Sequence, residues 1–434
     1  MSWFNALLSH FGFPSKKTMK DSGKTDDLEE GKPNEEAEEH EDSSSPVSET
    51  KAVLPDAKST DSEVPSDSSD EPVSEVESEG TESEESDLEG PQNEELDEAL
   101  EEKQDTDAAE SGENAEDEAT EEAPVKPKPK PKWLELEPED KTDPVPHLLK
   151  KYTERDDSWA FVAASVRGKL HAHKAMWRED SFAFDWTGPW SIMVVADGAG
   201  SAGLSRIGSI KACEHSVSSL KTMLEGFELE PINEKQPSSA DLKRLKAFLV
   251  LAASDARDAL LREAHERECE LKDLSTTLLL VVHCEWREHH LVSSIQVGDG
   301  SIAIYRGEDE GCQIIGEADH GEFSSQTVFL TSDLRQKPFA HRVKPPLLLP
   351  DLECIALMTD GVSDDFFPES ERLGELFADA PVQGLKTTEG NEVRGAFPVI
   401  LGSEHPADGL ADWMNYQVKG SSDDRTLLMF FRKP

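Results

Sequence analysis

Basic charge is scarce in this sequence beside its acidic charge. Its 434 residues include 44 Lys and Arg against 92 Asp and Glu, a formal net charge of −48. A chain with that balance repels a phosphate backbone, which argues against nucleic acid as a direct partner. Hydrophobic residues make up only 35% of it, too few for one uniform globule of this size. No apolar run approaches the roughly 18 residues a transmembrane segment needs. Cysteine is scarce, odd in number and never spaced C-x-x-C: Cys213, Cys269, Cys284, Cys312 and Cys354. They are expected as reduced core thiols, which excludes a disulfide framework and a cysteine zinc site. The opening MSWFNALLSHFGF is too short for a signal peptide and lacks a basic start and a small-residue cleavage site, so the expected location is cytoplasmic.

The shortage of apolar and basic residues is concentrated in one region. Residues 1–125 hold 8 Lys and Arg against 41 Asp and Glu, and are nearly empty of aromatics after Phe13. Such a stretch cannot bury enough apolar area to offset its ordering entropy, so 19–125 is expected to be disordered. It serves either as a solvated spacer or as an acidic tail for a basic partner. Within residues 1–18, Trp3, Leu7 and Phe11 fall at i, i+4, i+8, the spacing of a short amphipathic segment that docks on a partner or a membrane surface, or forms only transiently. PVKPKPKPKW alternates Lys and Pro, an extended spacer, and 126–155 is expected as linker and lead-in. Residues 156–434 suffice for one domain with a substantial core.

In that domain, WAFVAASVRG and WSIMVVAD have strand patterns, 204–224 and 241–268 helical ones. STTLLLVVHCEW, HLVSSIQVGDG and SIAIYRG then follow as closely spaced strands. Such short connections make antiparallel neighbours. In VVADGAGSAGLS, Gly198, Gly200 and Gly203 match a dinucleotide-binding fingerprint, but no second buried strand ending in an acid follows about 20 residues on. A carboxylate at Asp197 would also repel a bare diphosphate; a divalent cation reverses that sign.

Acidic residues recur where apolar strands end. Asp197-Gly198 follows SIMVVA, Asp299-Gly300 follows SSIQVG, Asp360-Gly361 follows CIALMT, Asp423 and Asp424 precede TLLMFF, and Glu179 and Asp180 precede SFAFDW. Each pair alone is an ordinary turn, and the GDG at 298–300 could be only a hairpin. Together they are oxygen ligands on a fixed frame, which suits hard divalent cations.

In order, ED (179–180), VVADGAGS, STTLLLVV, VGDGSIAIY, ALMTDGVSDD and SSDDRTLLMF resemble the motifs of the metal-dependent PP2C-type (PPM) Ser/Thr protein phosphatases. The likeness is nearest to a divergent bacterial branch and spans about 158–433. It implies an α+β fold, an α/β/β/α sandwich of two antiparallel sheets flanked by helices, with the metals at one end of the sheets. It implies Mn²⁺ or Mg²⁺, two ions and a third weaker one, and a phosphoprotein substrate with a cognate protein kinase as functional partner. By the resemblance, Asp197 is the carboxylate shared between two metals, Gly198 lends a backbone carbonyl, and Asp360 and Asp423 are further ligands. Asp197, Asp360 and Asp423 thus form the catalytic set. Glu179 and Asp180 are the acidic entry pair that holds metal directly or through water, and Asp299 and Asp364 with Asp360 match the third site. The implied mechanism is direct in-line attack on a phosphomonoester by a water that the two metals activate.

Two positions depart from the family pattern. Ala199 stands where many eukaryotic members carry a histidine, and Ala175 where the phosphate-binding arginine is expected. Lys174, His173 or Arg178 is then the substitute, with Lys174 and His173 preferred. Asp424 replaces a common Asn and adds a negative charge. His171 and His173, placed i, i+2 on a strand, would point the same way but lack a third zinc ligand, which leaves a structural or phosphate-side role. GEFSSQTVFLTSD (321–333) is a candidate flap. A haloacid-dehalogenase mechanism would need Asp-x-Asp, which Asp197-Gly-Ala lacks. The alternative from another class is a catalytically weak or inactive sensor or scaffold domain of the same fold.

Overall fold

The computed structural model describes residues 133–434 except 234, 317 and 319–326. The segments expected at 1–18 and 19–125, the Lys/Pro run and the first half of the candidate flap therefore lie outside the described residues. The strands are β1 (Leu148–Glu154), β2 (Trp159–Val166), β3 (Ser181–Thr187), β4 (Trp190–Ala196), β5 (Pro231–Asn233), β6 (Gln236–Pro237), β7 (Leu278–Trp286), β8 (His289–Val297), β9 (Ser301–Tyr305), β10 (Cys312–Ile314), β11 (Leu347–Leu349), β12 (Cys354–Met358), β13 (Pro381–Lys386), β14 (Glu392–Arg394) and β15 (Arg425–Arg432). Six form one sheet in the order β1-β2-β15-β12-β9-β10 and five the other, β11-β8-β7-β4-β3; every pairing is antiparallel.

Strand side chains alternate between faces, and the central strands are apolar on both. Met193 and Val195 of β4 point to the other sheet, where they meet Phe161, Ile302, Leu357 and Phe430. Ile192, Val194 and Ala196 point outward to the helices Ser205–Leu224 and Ser239–Arg267. The second helix buries Leu245, Leu249, Ala252, Ala253, Ala256 and Leu260, an i, i+3, i+4 stripe whose alanines permit close approach. It starts where Ser238 Oγ accepts from Ala240 N at 3.2 Å. Across the six-stranded sheet, Ala396–Leu401 and Pro406–Trp413 cover Ala164, Ala356 and Met429. The result is the expected α/β/β/α sandwich.

Two local expectations differ from the structure. The lead-in contributes β1, paired with β2 along its whole length; its sequence LLKKYTE hides an edge strand because solvent covers one side. Residues 169–173 form a short helix, not a strand, so His171 is buried while His173, half a turn away, is exposed.

Phe430 lies between the sheets, its ring stacked 4.7 Å from Trp159 of the neighbouring strand and 5.2 Å from His283 of the other sheet. Phe430→Ala is expected to cost about 3–5 kcal/mol, seen as a lower midpoint in urea unfolding of the full chain.

Candidate metal centre

Strand register gathers the acids at one edge of the sandwich. Ser181 pairs with Ala196, so Glu179 and Asp180, just before β3, lie beside Asp197, just after β4. In the other sheet Met358 pairs with both Leu427 and Ser301, which brings Asp360, just after β12, level with Asp423 before β15 and Asp299 before β9. Backbone contacts then fix each end. Thr277 N and Thr276 Oγ1 donate to Asp197 O at 2.8 and 2.7 Å, and Asp197 N donates to Thr277 Oγ1 at 2.9 Å. Asp360 opens the short helix Asp360–Ser363. A Cβ on Gly361 would sit 1.9 Å from Asp424 O, and one on Gly168 2.3 Å from the Asp423 carbonyl carbon, so the backbone before and after Asp424 can come this close only to glycines.

Asp197, Asp299 and Asp360 each offer a carboxylate oxygen within 4.8 Å of the others. Asp180 is buried, and the hydroxyls of Thr359 and Thr426 both donate to its Oδ2 at 2.8 Å. Thr327 Oγ1 donates to Asp299 Oδ2 at 2.5 Å. Asp364 stands exposed on a cavity of about 700 Å³ that Asp299 and Asp360 also line. Asp360, Asp364 and Asp423 line a second, of about 450 Å³. Acids line both cavities, and Arg372 and Lys419 stand with them in the second.

Burial, and then the neighbouring carboxylates, push the acids well above the ordinary carboxylate range. Asp197 and Asp360 rise strongly, each desolvated and facing other aspartates, and Asp180 rises with them. Desolvation lifts Glu179 to about 8 and Asp364 to about 6. Asp423 is also pushed upward, by the surrounding protein and then by Asp424, although its side chain is 54% exposed and solvent blunts the effect. Glu179 Oε2 is buried and accepts no hydrogen bond from the described residues. Crowded carboxylates with an orphaned oxygen are a donor set that hard divalent cations fit.

A sequence profile described as protein phosphatase 2C matches residues 167–394. The chain belongs to the protein phosphatase 2C family. Among solved structures, a phosphatase 2C from Toxoplasma gondii is 14% identical, covering 67% of this chain and 100% of that one, with a TM-score of 0.40. The phosphatase Stp1 from Staphylococcus aureus is 14% identical over 70% of this chain and 100% of its own, TM-score 0.37. PstP/Ppp from Mycobacterium tuberculosis is 16% identical over 64% and 100%, TM-score 0.35. No curated protein matches the sequence.

Within this phosphatase 2C domain, the expected phosphate-side residues His173 and Lys174 are exposed on the short helix, whereas Arg178 is buried beside the acidic entry pair. His173 Nδ1 accepts from Leu134 N at 3.2 Å and its ring meets Trp133 edge-on, so it anchors the lead-in. Lys174 caps the short helix, exposed. Arg178 is 2% exposed, its guanidinium donating to Ser165 Oγ, Pro146 O and Asp180 O. Its place is structural: it fastens the backbone of the acidic entry pair.

Two residues matter more than the sequence reading gave them. Asp424 does not merely add charge. It is buried, and it accepts from Gly168 N at 2.6 Å and Glu179 N at 2.5 Å. His171 Nδ1 lies 2.8 Å from Asp424 Oδ1, and Nε2 lies 3.8 and 3.9 Å from Glu179 Oε2 and Asp423 Oδ1. Burial alone would lower its pKa, but the three acids raise it to about 9. Only the helical turn at 169–173 sets His171 against the Asp423-Asp424 pair, which a strand over the same residues does not predict.

Carboxyls whose folded pKa values are raised stabilise the chain below their unfolded values, and that stability is lost as pH rises through the folded ones. For Glu179 and Asp364 the window runs from the ordinary carboxylate range to about 8 and about 6. Cations that replace those protons bind best when the protons are gone. The stabilisation gained on adding Mn²⁺ to EDTA-treated protein, read as a rise in melting temperature, is therefore expected to be larger at about pH 8 than at about pH 5.5, and to approach ~2.7 kcal/mol in free energy at a hundredfold excess over Kd. Equal gains at both values would count against the site.

Proposed function

We propose that this chain is a metal-dependent protein-serine/threonine phosphatase that hydrolyses phosphomonoesters by direct attack of water. The observation that carries the reading is the convergence of acids from five separate chain segments on one cleft at the edge of the sheets. Asp197, Gly198, Glu179, Asp180, Asp360 and Asp423 would hold two Mn²⁺ or Mg²⁺ ions, and Asp299 and Asp364, with Asp360, a third. When bound, such ions supply Lewis acidity toward a phosphoryl oxygen and lower the pKa of water.

The chain's own residues orient rather than react. Thr359 and Thr426 hold the Asp180 carboxylate, and the Thr276 and Thr277 hydroxyls hold the Asp197 backbone at the edge of the cleft. A covalent cysteine route finds no support: burial raises all five thiols, and none is a ready thiolate. Ala199 offers no proton, so the leaving alkoxide takes one from the solvent of the open cleft. The family to which the chain belongs points to a phosphoprotein as the substrate. A protein kinase would supply that substrate, and the acidic N-terminal region would hold a basic partner.

Hydrolysis of p-nitrophenyl phosphate and of a phosphoserine peptide tests the reading, with Mn²⁺ and with EDTA. Wild type is expected to turn over only with metal, and Asp197→Ala to lose about 10³-fold or more in kcat. A variant as active as wild type overturns it.

A further inference from the structure

We propose that Lys419 is a substrate-binding residue of this centre, its ammonium group holding a phosphoryl oxygen of the phosphomonoester. The inference rests on the phosphatase reading above and adds a residue which that reading does not include. A phosphomonoester carries about −1.5 to −2 charges at pH 7, so a cleft walled by carboxylates repels it wherever no cation intervenes.

Two basic side chains, Arg372 and Lys419, line the cavity of about 450 Å³ with Asp360, Asp364 and Asp423. None lines the cavity of about 700 Å³ that shares Asp360 and Asp364 with it. Arg372 has no donor left for a ligand. Its Nε donates to Glu375 Oε1 at 3.2 Å, Nη1 to Asp365 O and Phe367 O at 3.2 and 3.4 Å, and Nη2 to Gln383 O and Glu375 Oε2 at 2.6 and 3.3 Å. Lys419 is exposed and, among the described residues, makes no hydrogen bond or ion pair. A lysine that served only to balance the acids would pair with one of them. This one keeps three donors open beside them.

The backbone that carries Lys419 is tied down on both sides. Before it, Gln417 N donates to Lys386 O at 2.7 Å and Lys386 N to Gln417 O at 3.2 Å, and Val418 packs against the core beneath the six-stranded sheet. After it, Ser421 Oγ donates to Asp365 Oδ2 at 3.0 Å and accepts from Arg425 Nη2 at 2.8 Å, and Leu170 N donates to Ser422 O at 2.9 Å. Between these ties stand Lys419 and Gly420, and the glycine takes a φ of +89°, a left-handed turn that a side chain would strain. The turn thus holds the lysine at the cavity wall, just ahead of Asp423 in the chain. A compact charge on a flexible stem suits a phosphoryl group, whose oxygens can be met from several directions.

The test is steady-state kinetics of the full chain at saturating Mn²⁺, wild type against Lys419→Met and Lys419→Arg. The substrates are p-nitrophenyl phosphate and a phosphoserine peptide, and inorganic phosphate is the competitor. A contact made equally to bound substrate and transition state acts on KM rather than kcat. Lys419→Met is expected to raise KM for both substrates, and the inhibition constant of phosphate, by roughly 10- to 100-fold, the range of a hydrogen bond to a charged group. Lys419→Arg should keep most of the wild-type values. Mn²⁺ binding by calorimetry without substrate, and melting in EDTA, should match wild type in both variants. Unchanged KM and phosphate inhibition in Lys419→Met overturn the inference, as does an Arg variant no better than Met. A rise in KM for the peptide but not for p-nitrophenyl phosphate overturns it too, since the lysine then reads the peptide; so does an equal loss of Mn²⁺ affinity, since it then acts on the ions. Wild type without Mn²⁺-dependent hydrolysis overturns the phosphatase reading and this inference with it, whereas an active wild type matched by Lys419→Met overturns this inference alone.

Discussion

Like charges brought together out of water are the constraint around which this domain is organised. Asp180, Asp197, Asp360 and Glu179 lose solvent on folding and face one another, and burial raises all four. At an effective dielectric near 20, two unit charges 4 Å apart still oppose each other by about 4 kcal/mol. Nothing in the local chain chemistry favours such a cluster. It persists because the sheets that carry it are stabilised elsewhere, by the aromatic and aliphatic layer from Trp159 to Phe430. The acids therefore sit on the rim of a frame rigid enough to hold them in opposition, and cations are what relieve them.

That frame explains the division of labour among polar residues near the edge. Threonines 276, 277, 359 and 426 orient acids without adding charge. Arg178 and Arg425 are cationic but buried, with their guanidinium groups held by structural partners. Arg178 ties down the entry strand, and Arg425 lies over the Tyr416 ring and pairs with Asp365 at 3.2 Å. Among the described residues, His171 brings its ring within 4 Å of Glu179 and Asp423, and Arg372 and Lys419 line the second cavity with Asp360, Asp364 and Asp423. The absence of an arginine at Ala175 thus does not leave the edge without a base.

Much of this was legible in the sequence because strand ends are legible. An apolar run that stops at Asp-Gly marks both a sheet edge and a side chain projecting past it, and Asp197, Asp299 and Asp360 all follow that pattern. Antiparallel pairing followed from short connections, and the order of the acidic motifs pointed to the family. What the sequence hid is local and depends on packing. β1 looked like linker because an edge strand with Lys150 and Lys151 shows no clean alternation. Residues 169–173 looked extended because KLHAH is too short for periodicity to register. That one error hid the burial of His171, and with it the reason for an aspartate at 424. Arg178 looked like a phosphate ligand because distance along the chain from Ala175 says nothing about direction.

Anomalous diffraction from crystals grown with Mn²⁺ tests the central claim most directly. The account predicts strong peaks in the cleft, each within coordination distance of oxygens from Asp197 and from Asp360 or Asp423. It is contradicted if the cleft shows no peak at saturating Mn²⁺ and the carboxylates are found bonded to one another instead.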